Sequence, residues 1–586
     1  MQTGAKGKPP KATTGKPRKK DRGADLFVEA LKAQGVKQIV GLTGGAIMEA
    51  MDAMYSDEDI QVHFAQTEGG ATWAAIGYAR TTGEVGVCAV TSGPGATNTV
   101  TAIADAHRDN VPLVVITGQV PTSARNTDAF QETNITKIAA PTAKRVFYLH
   151  RAEDIPKTVA EAFRIAHEGR PGPVLIDFTK DAQQEGVSPE AFKSIEQYIP
   201  CLQEDTLPEE ELDEVVRLVG QAKRPVIIVG YGAVLAGVQK ELQQLLQIAP
   251  CPVVHTLPGK AALPTDHPLN FGMLGMHGFY VCNWMVHYAD LVISFGARYD
   301  DRITGNTEKF APGAGKLVHF DISRQQIQKV LPERKLGVPG NLKHTLPALI
   351  HRLQDTHLDF RSWHEEIAEI QVKFPSTYKR KLDILQTQFF VETLNRVMRR
   401  NVERTGRRVA YATEVGDHQM WCGQFLFLQD GWKFMTSSGQ GAMGAGLPMS
   451  IGAQLADPDL LVVCVAGDGS LRMSEADLET IAEYGLPIKI FVINNAGYGI
   501  VRMWNHLFYE GRETGVVKPK KRWTLLAEAC GFGKQAIHRV ESPAELEATI
   551  DAVLDAEGPQ FVELITPYEE CLPLMPPGKC FTDTVL

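Results

Sequence analysis

The chain has 586 residues, too many for one hydrophobic core, and a prior of roughly 100 to 200 residues per domain predicts about three domains. Its hydrophobic content of 44% and charged content of 22% are ordinary for a globular protein, while its net charge of -9 argues against a nucleic-acid binder. The longest apolar runs are short and end at a glycine or a turn, so no membrane span is expected. These features favour a cytoplasmic enzyme.

Residues 1–22 depart from this composition, being rich in Lys, Pro, Gly and Thr, and predict a disordered basic tail. The tail lacks the apolar core of a secretory signal, and its Pro-Gly content argues against a transit helix, although a trimmed organellar peptide stays an alternative. Nine cysteines are scattered from Cys88 to Cys580 without a C-x-x-C pair. Reduced thiols are therefore expected rather than disulfides or a structural zinc site.

Short apolar strands alternate with amphipathic stretches in three successive blocks, which predicts three doubly wound parallel-sheet α/β domains. The predicted domains are residues 23–195, 196–375 and 376–586. The predicted strands lie near residues 37–42, 85–93, 112–118 and 173–178 in the first block, 224–232, 252–257, 290–296 and 317–323 in the second, and 409–417, 460–470, 488–499 and 560–567 in the third. Such sheets bind ligands beyond the carboxyl ends of their strands.

Two polar motifs follow neighbouring predicted strands in the third block. Asp468 follows one strand, and Asn495 follows the next, 495 − 468 = 27 positions later. Because a strand, a crossover helix and a second strand fit this separation, both side chains are expected at one sheet edge. Mg²⁺ takes about six oxygens and few of them from protein, so Asp468, Asn495 and the carbonyl of Gly497 predict a magnesium site. The alternative is a pair of ordinary turns.

The residues around Asp468 suit a phosphate group. Gly467 and Gly469 permit close backbone approach, and the amides of Gly469 and Ser470 at a helix start are placed to bind phosphate oxygen. The pair of motifs, GDG followed by NN, resembles the metal-binding motif of the thiamine-diphosphate enzyme superfamily. The resemblance implies thiamine diphosphate and Mg²⁺ as cofactors.

In that superfamily the first domain supplies a glutamate that hydrogen-bonds the cofactor's aminopyrimidine ring, which here implies Glu68 in AQTEGGATWAAIGYAR. The resemblance also implies Met443 as an apolar wedge beneath the bent cofactor, Gly441 as a carbonyl acceptor for its amino group, and His418 as a further cofactor-binding residue. The alternatives are a first-turn glutamate that complements a helix dipole and a methionine that fills the core.

From about residue 24 to the C-terminus, the chain is similar to the catalytic subunit of the acetohydroxyacid synthase, or acetolactate synthase, family. The similarity rests on residues 91–98, 111–121, 127–133, 274–278, 295–305, 441–448 and 573–583. It implies decarboxylation of pyruvate and ligation of the remaining two-carbon unit to a second 2-oxo acid, on the way to branched-chain amino acids. It also implies a homodimer or homotetramer and raises the question of a separate regulatory subunit.

Carried over by this resemblance, Gln131 and Lys144 line the reaction pocket, Phe130 forms an apolar wall, Arg302 faces the acceptor carboxylate, and Trp504 sets acceptor size. An arginine is a planar, always charged partner for a carboxylate. The alternative for Arg302 is an ion pair with Asp300 or Asp301.

The same resemblance implies FAD in the middle domain as a largely structural cofactor without hydride transfer. The residues implied for flavin binding are Thr256, Leu257, Gly275, Met276, His277, Gly296, Arg298, Asp300 and Asp321.

Several positions depart from the family pattern. Leu42 and Thr43 replace the usual Tyr-Pro pair, Asp417 stands where a glutamine normally precedes His418, and Tyr231 interrupts a glycine run. The motif NNAGYG is also closer to pyruvate decarboxylases. Two other functions therefore stay open: a thiamine-diphosphate decarboxylase, carboligase or oxidase with another acceptor, and a catalytically idle binding homologue.

Overall fold

The computed structural model describes residues 21–198, 207–519 and 521–586. These residues form three six-stranded sheets in which every strand pairing is parallel. The structure confirms the predicted α/β fold with three doubly wound parallel sheets. The predicted basic tail, residues 1–22, lies outside the described residues except for Asp21 and Arg22. Within the described ranges, no helix combines the length and apolar character needed to cross a membrane.

The first sheet is built from residues 38–179. Its strands are β1 (Gln38–Gly41), β2 (Gln61–Phe64), β3 (Gly86–Val90), β4 (Leu113–Gln119), β5 (Arg145–Leu149) and β6 (Pro173–Thr179). Its helices are α1 (Gly23–Ala33), α2 (Met48–Tyr55), α3 (Glu68–Thr82), α4 (Pro94–Thr97), α5 (Val100–Asp109), α6 (Ile135–Ala139), α7 (Ile155–His167), α8 (Lys180–Gln184) and α9 (Pro189–Lys193). The strand order is β2-β1-β3-β4-β6-β5.

The second sheet is built from residues 225–339. Its strands are β7 (Pro225–Val229), β8 (Val253–His255), β9 (Asn270–Met273), β10 (Leu291–Phe295), β11 (Lys316–Asp321) and β12 (Lys335–Pro339). The helices of this segment are α10 (Glu209–Gln221), α11 (Tyr231–Ala236), α12 (Gln239–Ile248), α13 (Tyr280–Tyr288), α14 (Asp301–Thr304), α15 (Arg324–Lys329), α16 (Leu342–Leu353) and α17 (Arg361–Lys373). The order β9-β8-β7-β10-β11-β12 is the 3-2-1-4-5-6 order of dinucleotide-binding sheets.

The third sheet is built from residues 409–565. Its strands are β13 (Val409–Thr413), β14 (Lys433–Thr436), β15 (Leu461–Gly467), β16 (Lys489–Asn494), β17 (Ile537–Val540) and β18 (Gln560–Ile565). Its helices are α18 (Thr387–Thr405), α19 (Asp417–Phe425), α20 (Gly446–Ala456), α21 (Asp468–Leu471), α22 (Asp477–Glu483), α23 (Gly499–Phe508), α24 (Trp523–Ala529) and α25 (Pro543–Asp555). The order β14-β13-β15-β16-β18-β17 repeats that of the first sheet.

The first and third domains share one hydrophobic core, because buried residues of both sheets belong to a single apolar cluster. Helix α3 of the first domain packs directly against helix α20 of the third, and glycines permit the close approach. A Cβ on Gly452 would lie 1.8 Å from the carbonyl oxygen of Ala74, and a Cβ on Gly77 would lie 2.0 Å from that of Met449. The backbones of α3 and α20 are therefore in direct contact.

We expect Gly452→Ala to destabilise the protein, because the added methyl group must push α3 and α20 apart. Forcing a methyl group into a packed core costs about 1 to 3 kcal/mol. The matched control is Gly220→Ala in α10, where nothing lies within 4 Å of an added Cβ and alanine favours the helix. Thermal unfolding should show a lower midpoint only for Gly452→Ala; equal midpoints for both variants would contradict the close packing of these helices.

Candidate active site

Asp468 and Asn495 lie at the same edge of the third sheet. Strands β15 and β16 are adjacent and pair Gly467 with Ile493, so the residues that follow them emerge side by side. The Asp468 side chain is buried, and its Oδ1 atom has no hydrogen-bond partner among the described residues. Burial raises the pKa of Asp468 to about 6, against the effect of a backbone hydrogen bond from Gly497. A buried carboxylate with an open oxygen suits a cation.

The glycines beside Asp468 have packing reasons that the sequence did not reveal. A Cβ on Gly467 would lie 2.7 Å from Cε1 of His418, and a Cβ on Gly469 would lie 2.5 Å from the ring of Tyr498. Both ring nitrogens of His418 are buried without a hydrogen-bond partner in the described part of the chain, and Nδ1 lies 3.5 Å from a carboxylate oxygen of Asp417. The Ser470 hydroxyl bonds to the backbone of Gly467, so the backbone amides at this turn are the groups left for a phosphate.

A buried glutamate that the sequence prediction missed holds the loop of Gly441 and Met443. Glu414 follows β13, is fully buried, and accepts hydrogen bonds from the amides of Gly444 at 2.7 Å and Leu447 at 3.0 Å. Burial raises the pKa of Glu414. Met443 itself is 37% exposed, so the loop is fixed from beneath while the methionine faces outward.

Glu68 begins helix α3 on the first domain. Thr67 caps that helix by accepting from the amide of Gly70 at 2.9 Å. The Oε2 atom of Glu68 accepts a hydrogen bond from the Asn98 side-chain amide at 3.0 Å. The carboxylate is therefore oriented by the loop that connects β3 to α5.

Gln131 and Phe130 lie against the same loop. A Cβ on Gly93 would meet the carbonyl oxygen of Gln131 at 2.9 Å, and Gln131 has a left-handed backbone with a φ of 61°. Phe130 is 88% exposed. These residues and Glu68 form a first-domain cluster with an open apolar side chain at its edge.

Lys144 is engaged elsewhere. Its ammonium group donates to the backbone carbonyls of Glu168 at 2.6 Å and Arg170 at 2.8 Å, and also to that of Ile165, at the end of α7. Burial lowers the pKa of Lys144 to about 8. These hydrogen bonds hold the Lys144 ammonium group at the end of α7, so its place in the reaction pocket stays a prediction.

A cavity of about 1310 Å³ lies between the three domains. Eight of the residues implied for flavin binding line it: Thr256, Leu257, Met276, His277, Gly296, Arg298, Asp300 and Asp321. The ninth, Gly275, adjoins Met276 and has a φ of 100°. Gly232 and Gly296, which follow β7 and β10, lie in the lining at the point where the strand order of the middle sheet reverses.

Arg302 and Trp504 line the same cavity and contact each other. The guanidinium of Arg302 lies 5.8 Å from the Trp504 ring centroid and 3.1 Å from the sulfur of Met276. Asp300 pairs instead with Arg298 at 2.6 Å, and the Asp301 carboxylate is 3.9 Å from Arg302. A cation with so little pairing in a cavity wall is suited to an anionic ligand.

A buried ionic junction beside the cavity joins all three domains. Asp109 of the first domain pairs with Arg80 at 2.7 Å and with Arg298 of the middle domain at 3.5 Å. Ser438 of the third domain donates to Asp109 through its hydroxyl at 2.7 Å and its amide at 2.9 Å. Tyr231, which interrupts the glycine run of the family pattern, lies 5.0 Å from the Arg80 guanidinium. This residue therefore belongs to the same junction.

Comparison with known proteins agrees with this three-part architecture. Three family models match the chain: the thiamine pyrophosphate enzyme N-terminal TPP binding domain over residues 21–138, the central domain over 212–349, and the C-terminal TPP binding domain over 414–564.

Curated plant proteins match almost the whole chain. Acetolactate synthase 2 of Zea mays is 39% identical over 583 residues, which is 97% of this chain and 89% of the relative. This chain belongs to the acetolactate synthase family of thiamine pyrophosphate enzymes. Acetolactate synthase 1 of Oryza sativa subsp. japonica is 39% identical (96% and 88% coverage), and acetolactate synthase of Arabidopsis thaliana is 38% identical (96% and 84%). All three relatives are named as chloroplastic.

A buried lysine fixes the far end of the helix that carries Asp417 and His418. Lys260 is 1% exposed, and its ammonium group donates to the Gly423 carbonyl at 3.0 Å in the last turn of α19. A cation favours this helix end, but burial lowers the pKa of Lys260 to about 7. The hydrogen bond from Lys260 therefore fixes the end of α19, although burial removes the amine from water.

We expect Lys260→Met to gain stability relative to the native protein as the pH falls from 9.5 to about 7, because the unfolded chain then binds a proton at Lys260 that the folded chain does not. Below the folded pKa both states are protonated, so the difference should become constant. Thermal unfolding of both proteins across this range measures the difference. A difference independent of pH between 7 and 9.5 would contradict the lowered pKa.

Proposed function

We propose that this protein is an acetolactate synthase, which decarboxylates pyruvate and joins the remaining two-carbon unit to a second 2-oxo acid. Two pyruvate molecules then give one acetolactate and one CO₂ with uptake of a proton and no net oxidation. The observation that carries the proposal is that Arg302, Trp504 and Gly441 line one cavity in a chain from this family. Arg302 binds the carboxylate of the acceptor, and Trp504 limits the size of its side chain.

Thiamine diphosphate supplies the carbanion chemistry when bound. The residues of the third domain fit its diphosphate and a Mg²⁺ ion, because Asp468 keeps an open carboxylate oxygen and Nε2 of His418 is buried without a hydrogen-bond partner in the described residues. Asp468, Asn495 and the carbonyl of Gly497 would hold the cation. In the described residues no cluster of three or more His, Cys, Asp or Glu side chains could hold a metal alone, which fits an ion completed by phosphate and water.

Glu68 acts as the acid that hydrogen-bonds the aminopyrimidine ring. Its carboxylate is held by Asn98 on the first domain, whereas Asp468 belongs to the third. The family resemblance supports a site that takes Glu68 from one subunit and Asp468 from a partner. The enzyme is thus a homodimer, alone or within a homotetramer. A separate regulatory subunit and the cytoplasmic location stay predictions.

FAD occupies the cavity between the domains as a structural cofactor. The cavity has the glycine-lined switch point that a dinucleotide requires, and Arg298 contributes a cation to its wall. The flavin takes no part in electron transfer, since the reaction is balanced without an oxidant.

With pyruvate, thiamine diphosphate, Mg²⁺ and FAD, we expect acetolactate as the main product. Asp468→Ala should lower the rate by about two orders of magnitude or more, because it removes the only anionic protein ligand of the cation. Product identification with the native protein decides between the candidate activities. Acetaldehyde as the main product would indicate a decarboxylase, peroxide an oxidase, and no cofactor binding at all an idle homologue.

We expect the purified protein to retain FAD or to bind one FAD per chain, since the cavity is preformed. The visible flavin absorbance should not bleach during anaerobic turnover with pyruvate. A fully active protein that binds no FAD would contradict the flavin assignment, and stoichiometric bleaching would contradict its structural role.

A further inference from the structure

Asp417 is a buried residue beside the proposed cation site. It belongs to the start of α19 and contacts the start of α23. It is the first residue of α19 and is 4% exposed. Its Oδ1 accepts from the amide of His418 at 2.8 Å, and its Oδ2 accepts from the side-chain nitrogen of Asn495 at 2.9 Å. A Cβ on Gly499, the first residue of α23, would lie 1.7 Å from Oδ2, so the carboxylate lies directly against the backbone of Gly499.

The chemistry of this contact fixes which way the Asn495 amide faces. An amide has a donor nitrogen and an acceptor oxygen, whereas an ionised carboxylate only accepts. The nitrogen of Asn495 must therefore face Asp417, which leaves its oxygen for another partner. Mg²⁺ binds oxygen and not amide nitrogen. A glutamine at position 417 could donate or accept, so it would not impose this orientation.

We propose that Asp417 is a positioning residue for the divalent cation, selecting the orientation of Asn495 in which the amide oxygen faces the metal. The inference rests on the proposed cation site and extends it to a residue outside the set of direct ligands. Asp417 also adds a second carboxylate close to Asp468. The added negative charge favours a cation at this site.

The test is the dissociation constant of Mn²⁺, measured by electron paramagnetic resonance on the full-length protein with saturating thiamine diphosphate. Asp417→Asn should raise this constant by about 10- to 100-fold, the usual effect of losing the partner of a metal ligand. The double variant Asp417→Asn, Asn495→Asp restores one amide, one carboxylate and the total charge, and should recover most of the affinity. Asp359→Asn, an equal change of charge at an exposed site, should change nothing.

Native Mn²⁺ affinity in folded Asp417→Asn, or a double variant that binds no better than the single one, would overturn the proposal. If Asp417→Asn does not fold, Asp417→Gln takes its place, and native affinity in that variant has the same meaning. A different result would show that the proposed cation site is wrong. In that case Asp468→Ala would bind Mn²⁺ as tightly as the native protein, and the role of Asp417 would be rejected together with the site.

Discussion

The architecture depends on one buried carboxylate. Asp109 is 3% exposed, and its partners come from all three domains: Arg80, Arg298 and Ser438. A buried charge is tolerated only when it is paired and hydrogen-bonded, and removing one partner of such a pair typically costs about 3 to 5 kcal/mol. The three sheets must therefore keep one relative arrangement. The cavity that brings Arg302 to Trp504 is the space that this arrangement leaves between them.

The fixed arrangement also determines how a catalytic site is assembled. The third sheet presents Asp468 beside the point where its strand order reverses, between β13 and β15, where such sheets bind ligands. The first sheet presents Glu68 at the start of α3, and the neighbouring Gln66 donates to Glu483 of the third domain. The shared core of α3 and α20 fixes these two domains of one chain against each other. In the proposed homodimer, a second chain related by a two-fold axis would provide the other half of each site.

The sequence predicted the four inner strands of each sheet and missed both edge strands in all three: β2 and β5, β9 and β12, and β14 and β17. Inner strands are buried on both faces and read as continuous apolar runs. Edge strands such as β5 are partly exposed. Their mixture of polar and apolar residues therefore resembles that of the surrounding loops. Asp468 and Asn495 were predictable because they follow inner strands directly.

Long-range partners could not be predicted from the sequence. Ser438 lies 329 positions from Asp109, and no local pattern in either segment specifies the other. Glu414 follows a correctly predicted strand, but its role depends on amides of a loop 30 and 33 positions later. Lys144 shows the opposite case: a family resemblance assigned it to the pocket, while the structure of the chain commits its ammonium group to backbone carbonyls.

The central claim is that each site is built by two chains, and mixing two inactive variants tests it most directly. Glu68→Gln and Asp468→Ala are mixed in equal amounts under conditions that permit subunit exchange, and acetolactate formation is measured. Random exchange makes half of the dimers mixed, each with one of two sites intact, so activity should recover to about one quarter of the native value. If mixed dimers are shown to form and no activity returns, the two residues act within one chain and the account is wrong.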